Sequence, residues 1–182
     1  MRIRLGRRKK RAALTLDVTF SEMNIELRPF TLDDAASVAN LVGNKAVSKW
    51  TSNIPFPYSE QDAIEWITHT SSNSVRKPNA VELDGLLVGC VSYWPHQPGG
   101  FEVGYWVGRE FWGKGVCTEA LRRLISRSDF PVREDIFAKV MLQNIGSQRV
   151  LEKCGFSFFE KGTIFKNDRE VEAKFYVRRA AT

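Results

Sequence analysis

Histidine is almost absent from this chain, and cysteine is sparse and unpaired. Its 182 residues hold two histidines, His69 and His96, and three cysteines, Cys90, Cys117 and Cys154. So few histidines exclude a His-rich metal centre and argue against a His-based nucleophile triad. The cysteines are odd in number and widely spaced, with no CxxC, so no disulfide framework or zinc ribbon is written here. They read as buried thiols in a reducing compartment, which predicts a cytoplasmic protein. Long apolar runs are missing too. No stretch approaches the roughly 20 apolar residues of a membrane helix. The early segment "AALTLDVTFSE" is too short, and too broken by Asp17, for a signal peptide. Neither GxGxxG nor GxxxxGK[ST] occurs, which excludes a Rossmann dinucleotide fingerprint and a P-loop.

What is present is an ordinary globular composition, 43% apolar and 26% charged, long enough for one domain with a proper core. The net charge of +6 is not evenly spread. The opening "RIRLGRRKKR", residues 2–11, carries seven Arg or Lys; without them 20 basic residues face 21 acidic ones. The reading is therefore a basic arm and lead-in, 1–22, followed by a single near-neutral domain, 23–182. Such an arm suits RNA or another anionic surface. It lacks interleaved aromatics and any nucleic-acid module, so the favoured reading is a solvated tail or an early start codon.

Patterning along the domain predicts a strand at 24–30 and a helix over 31–44 with Thr31 as N-cap. A loop or broken helix follows over 45–58, then a helix over 59–72 capped by Ser59. "AVELDGLLVGCVSYW", 80–94, is a hairpin turning at Asp84-Gly85. A strand at 99–108, a helix at 115–128, a strand at 135–141 and a helix at 144–156 ending on Gly155 come next. Two closing strands turn at Asn167-Asp168. This order predicts an α/β (α+β) fold, a mixed sheet with helices on its faces rather than a doubly wound one.

The chemistry is concentrated in "FWGKGVCTEA", residues 111–120. Two glycines flank a lysine after a strand and open a helix. Glycine there gives close backbone approach, and the bare N–H groups of a helix start bind anions. Together, "GYWVGREFWGKGVCTEAL", "NIGSQRVLEKCGF" and the element order resemble the Gcn5-related N-acetyltransferases. Within them the likeness is to the RimJ/RimL-type ribosomal-protein N-terminal acetyltransferases, and it covers residues 24–178. The resemblance implies a largely antiparallel sheet of six or seven strands, splayed where acetyl-CoA binds. It places the CoA pyrophosphate on Trp112, Gly113, Lys114, Gly115 and Val116. The family's Gln or Arg three residues before the first glycine is Glu110 here, beside Arg109. The thioester is expected along the backbone of Trp106 and Val107, with Asn144 and Lys153 on the rest of the cosubstrate; Asn144 alternatively serves as a helix N-cap. No metal is implied.

Acetyl transfer to an amine at neutral pH requires removing a proton from a group of pKa about 8 (α-amine) or 10 (lysine). Glu102, in "FEVGYW", matches the base of the histone-acetyltransferase members. The acid that many members place seven residues after the helix Asn is Leu151 here. Ser147, one helical turn from Asn144, takes that role by resemblance to the RimL-like branch; the alternative is a hydroxyl bonded to its own helix. Cys117 and Cys154 have no neighbouring base and read as core. Trp50, Phe56 and Tyr58 fall in the loop that borders the acceptor site in this family. The expected activity is acetyl transfer to a primary amine, foremost a ribosomal-protein N-terminus, in a ternary complex, by a monomer or homodimer. The rivals are a small-amine acetyltransferase and a non-catalytic acetyl-CoA-binding or RNA-associated module. Removal of residues 1–12 is expected to leave both the thermal unfolding temperature and turnover on an uncharged peptide unchanged; loss of either makes the arm structural.

Overall fold

The computed structural model describes residues 23–180, apart from Ser74 and Val132. The basic arm and its boundary at residue 22 lie outside the described residues.

Seven extended segments pair into one sheet: β1 (Ile25–Arg28), β2 (Lys77–Leu83), β3 (Leu86–Pro95), β4 (Phe101–Val107), β5 (Ile136–Met141), β6 (Ser157–Lys166) and β7 (Arg169–Arg178). Their spatial order is β1-β2-β3-β4-β5-β7-β6. Every neighbouring pair is antiparallel except β4–β5. Among the described residues there are five α-helices: α1 (Ala35–Val42), α2 (Lys45–Ser48), α3 (Glu60–Asn73), α4 (Val116–Ile125) and α5 (Ile145–Lys153).

Local chemistry explains the boundaries. Ser59 caps α3 through a reciprocal pair: its Oγ accepts from the Asp62 N–H, and the Asp62 carboxylate accepts from the Ser59 N–H and hydroxyl. At the first helix, Leu32–Asp34 form a 3₁₀ turn and α1 starts only at Ala35. The Asp34 carboxylate accepts from the Thr31 N–H at 2.8 Å and from Arg28 at 2.7 and 2.8 Å. The Arg28 guanidinium holds the Asp34 carboxyl below its ordinary value and also bonds Glu82, tying β1 to β2 and to the helix start. The hairpins turn where expected, with Asp84 and Gly85, and Asn167 and Asp168, at positive φ. Gly155 ends α5 at φ 82°. The 45–58 segment resolves into the short α2 and a loop.

The sheet is covered on both faces. One core packs α4 against β1, β3, β4, β5 and β7 through Val88, Val91, Val103, Leu121, Leu124 and Tyr176. The other packs α1 and α3 on the opposite face through Phe30, Val38, Val42, Ile67 and Cys90. The apolar stripe of α4, including Val116, Ala120 and Leu121, is buried as its spacing predicts. Leu151, where many relatives carry Tyr, is fully buried in the first core. Leu121→Ala should lower unfolding stability by about 2–5 kcal/mol, read by urea denaturation; a loss below about 1 kcal/mol would show that the face is loosely packed.

Candidate active site

β4 and β5 pair at two positions only, Phe101↔Ile136 and Glu102↔Phe137, and then diverge. Alternation decides which backbone groups face the resulting gap. The His96 N–H donates to Gly100 O and the Gly108 N–H to Val88 O, and the β3–β4 register runs unshifted between them. Even-numbered residues of β4 therefore bond to β3. The Phe101 N–H turns the other way, to Asp135 O. Val103, Tyr105 and Val107 thus point their N–H and C=O into the gap. This corrects the expectation for Trp106, whose backbone belongs to the β3 ladder; its indole forms part of the cavity wall instead. The carbonyl of Val107 is taken by Trp112 Nε1 at 3.0 Å, which leaves the Val107 N–H as its gap-facing donor.

Trp112 leads into the glycine turn. Gly113 and Gly115 sit at φ 74° and 83°, a region that side chains disfavour. Gly115 is the N-cap of α4 and no side chain caps that end. The first helical bond there runs from the Glu119 N–H to Gly115 O. The N–H groups of Val116, Cys117 and Thr118 therefore have no partner within the helix, at the positive end of its dipole. A Cβ on Gly113 would meet no atom within 4 Å. The turn opens onto a cavity of about 1610 Å³, which Asn144, Ser147, Arg149 and Lys153 of the α5 segment also line. Lys114 is not part of that lining; its ammonium lies 5.7 Å from the Phe111 ring. Bare amides with two cations at one end and an unpaired strand backbone at the other fit a ligand with phosphates, amides and a thioester.

Asn144 is the N-cap of α5, its Oδ1 accepting from the Ser147 N–H at 3.2 Å. Ser147 Oγ lies 2.9 Å from the Tyr105 hydroxyl, which also donates to Ser147 O at 3.1 Å. Burial pushes the Tyr105 phenol well above its ordinary value, so it stays protonated. The sequence reading passed over Tyr105; its place on β4, opposite in parity to Glu102, was the available signal. Burial acts on the thiols in the same direction: it raises Cys90 to about 12 and Cys154 to about 11, and raises Cys117 further, which disfavours the thiolate that an acetyl-cysteine route needs.

Glu102 sits on the other face of β4, at the last paired position before the gap opens. Its side chain is 13% exposed, and one oxygen, Oε2, meets both Lys139 Nζ at 3.0 Å and His96 Nδ1 at 3.3 Å. His96 is itself stacked on Phe137, ring centroids 4.2 Å apart. Neither Lys139 nor His96 was assigned a site role from sequence; Lys139 lies inside β5, His96 directly follows β3, and neither carries a motif. Next to Glu102, Gly104 lets the Trp94 ring lie against the strand, since a Cβ there would come within 2.9 Å of it. Arg76 stacks over Trp94 at 3.6 Å, its pKa lowered by burial. Trp50 and Tyr58 line this half of the cavity, and burial lifts Tyr58 to about 12. Phe56 is 52% exposed and lies outside the lining, which corrects its assignment to the acceptor wall. Trp66 and Trp94 are further wall aromatics to which the sequence reading gave no site role.

Residues 24–157 match the family model described as the acetyltransferase (GNAT) domain. The chain belongs to the GNAT acetyltransferases. It is an N-acetyltransferase that uses acetyl-CoA. The Uncharacterized N-acetyltransferase p20 of Bacillus licheniformis is 28% identical over 72% of this chain and 78% of its own length. The Probable N-acetyltransferase YjcK of Bacillus subtilis is 38% identical over 40% of this chain, and the match spans 42% of that protein. Among solved structures, the microcin self-immunity acetyltransferase MccE, in complex with acetyl-CoA and AMP, superposes with a TM-score of 0.74 at 22% identity, covering 85% of this chain and 92% of that one. A RimL ribosomal alpha-N-protein acetyltransferase with coenzyme A and a Vibrio cholerae spermidine N-acetyltransferase with CoA and spermine share the fold, with TM-scores of 0.70 and 0.72.

Gly113→Asp should abolish measurable acetyl-CoA binding in calorimetry by setting a carboxylate against the cradle. The open space around Gly113 leaves the mutant room to fold, and an unchanged affinity would remove the pyrophosphate from this turn.

Proposed function

We propose that this enzyme acetylates a primary amine by direct attack in a ternary complex, with a protein N-terminal α-amine of the ribosomal-protein type as the first acceptor to test. The observation that carries the mechanism is the position of Glu102, half-buried in the cavity wall at the last residue pair before β4 and β5 part. Acetyl-CoA supplies the activated acetyl group. The backbone N–H groups of Gly113, Gly115 and Val116, with those of Cys117 and Thr118 at the helix start, hold its phosphates. Trp112 anchors the turn, its N–H on Arg109 O and its indole on Val107 O; the backbone of Lys114 completes it, and Arg149 and Lys153 add charge. The Val107 N–H donates to the thioester oxygen, where negative charge grows as the amine attacks. Glu102 takes the ammonium proton, its geometry held by Lys139 and His96. As the carbon–sulfur bond breaks, the nitrogen sheds its second proton to solvent, and Ser147, hydrogen-bonded to the Tyr105 hydroxyl, passes a proton to the departing thiolate and is reprotonated from solvent. Asn144 fixes Ser147 by capping its helix. Trp50 and Tyr58, with Trp66 and Trp94, flank the acceptor. The free thiols support action in the cytoplasm.

A small amine is the second reading. Asp62 and Glu65 line the acceptor half from α3, and that charge favours a polycation. A panel of ribosomal-protein N-terminal peptides beside spermidine and free amino acids, followed by CoA thiol release, decides between them. Transfer to none of these amines would place the acceptor outside both classes.

Glu102→Gln keeps the shape of the side chain and removes its basicity. It should lower kcat by ~10²–10⁴-fold with acetyl-CoA affinity retained. The deficit should shrink as pH rises towards the amine's own pKa, because more acceptor then arrives already deprotonated. Wild-type turnover at neutral pH, with chemistry shown to limit the rate, would assign the base elsewhere.

A further inference from the structure

The acceptor half of the cavity lies between two walls from distant parts of the chain. One is the loop between α2 and α3, where Trp50–Pro55 and Tyr58 face the cavity; the other is β6, through Thr163, Ile164 and Phe165. The loop has little structure of its own. It follows a four-residue helix, and its first turn is held by the Thr51 N–H and hydroxyl donating to Ser48 O. Such a segment, left alone, samples many conformations.

One side chain joins the walls. Lys166, the last residue of β6, donates from Nζ to Ser48 O at 2.8 Å and to Thr51 O. Ser48 closes α2 and its carbonyl also accepts from Thr51, while Thr51 O lies three residues on in the loop, so one ammonium bridges the helix end and the loop. Lys166 is half-buried, which lowers its pKa, and the two carbonyls replace the water its ammonium gives up. Lys166 is not among the cavity-lining residues. Whatever it does for catalysis, it does through the loop.

We propose that Lys166 is a positioning residue for the acceptor amine: its ammonium clasps the Trp50–Tyr58 loop to β6 and sets the distance between the two walls the acceptor fits between. The inference rests on the reading that this half of the cavity receives the acceptor. Acetyl-CoA is held elsewhere, by the turn before α4 and the gap between β4 and β5. The clasp therefore acts on acceptor binding and leaves donor binding alone.

Lys166→Met removes both bonds while keeping most of the aliphatic stem. At saturating acetyl-CoA it should raise the acceptor KM roughly tenfold, the scale of a lost charged hydrogen bond, with kcat changed less than about twofold and acetyl-CoA Kd unchanged. Lys166→Arg, which keeps charge and donors, should recover most of the KM. Lys166→Gln carries the same test if the Met variant does not fold, with the same rise expected. Trypsin cleavage after Lys49 gives a readout independent of activity: faster in the Met and Gln variants, near wild type in the Arg variant. A wild-type acceptor KM, a loss confined to kcat, an equal change in acetyl-CoA Kd, or unchanged cleavage after Lys49 would each overturn the clasp. Failure of the functional reading has a different signature, a wild-type protein that acetylates no amine of the panel, and the cleavage rates then still decide whether Lys166 holds the loop.

Discussion

The parting of β4 from β5 is the constraint on which the rest of this structure depends. The sheet consists of two antiparallel halves, β1 to β4 and β5, β7, β6, and the halves touch through two parallel residue pairs. A parallel pair cannot be closed by a hairpin and needs a crossover. Here the crossover contains α4, so the chain leaves the open end of the gap and turns at once into a helix. The glycine turn and the bare N–H groups of α4 lie at the mouth of the gap for that topological reason. The Tyr105–Ser147 hydrogen bond ties β4 to α5 across the divide.

β4 also sorts the chemistry. Its odd residues present backbone to the gap and side chains to the core under α4 and α5. Its even residues bond to β3 and turn their side chains to the α1–α3 side, where Glu102 and Trp106 meet the acceptor half. In the proposed reaction this one strand serves the donor through its gap-facing backbone and the acceptor through its even-numbered side chains, and the period of two keeps them apart. Glu102 stands where both meet. Lys139 and His96 share one of its oxygens, which fixes the carboxylate without a metal ligand set among the described residues.

Much of this was legible in the chain. The hairpin at Asp84-Gly85, the Ser59 cap, the αL stop at Gly155 and the stripe of α4 are local signals, each written within a few residues, and each is present. The 31–44 helix starts later than its pattern suggests because Arg28 draws Asp34 into an ion pair and the first turn tightens. The role of Trp106 was misread because motif matching names residues and not the direction of their amides; that direction follows from the pairing register. Phe56 was placed in the wall by loop membership alone, and loop neighbours such as Phe56 and Tyr58 need not share a side.

By itself, then, the sequence determined the elements, their order, the glycine turn and the family, because these follow from spacing and local backbone preference. Only the tertiary structure decided which amides line the gap, that Lys139 and His96 converge on Glu102, that Tyr105 meets Ser147, and that Lys166 reaches across to Ser48 and Thr51. Those contacts join residues from 6 to 118 positions apart, and no local periodicity encodes them. They arise when strands from both halves of one sheet are packed side by side.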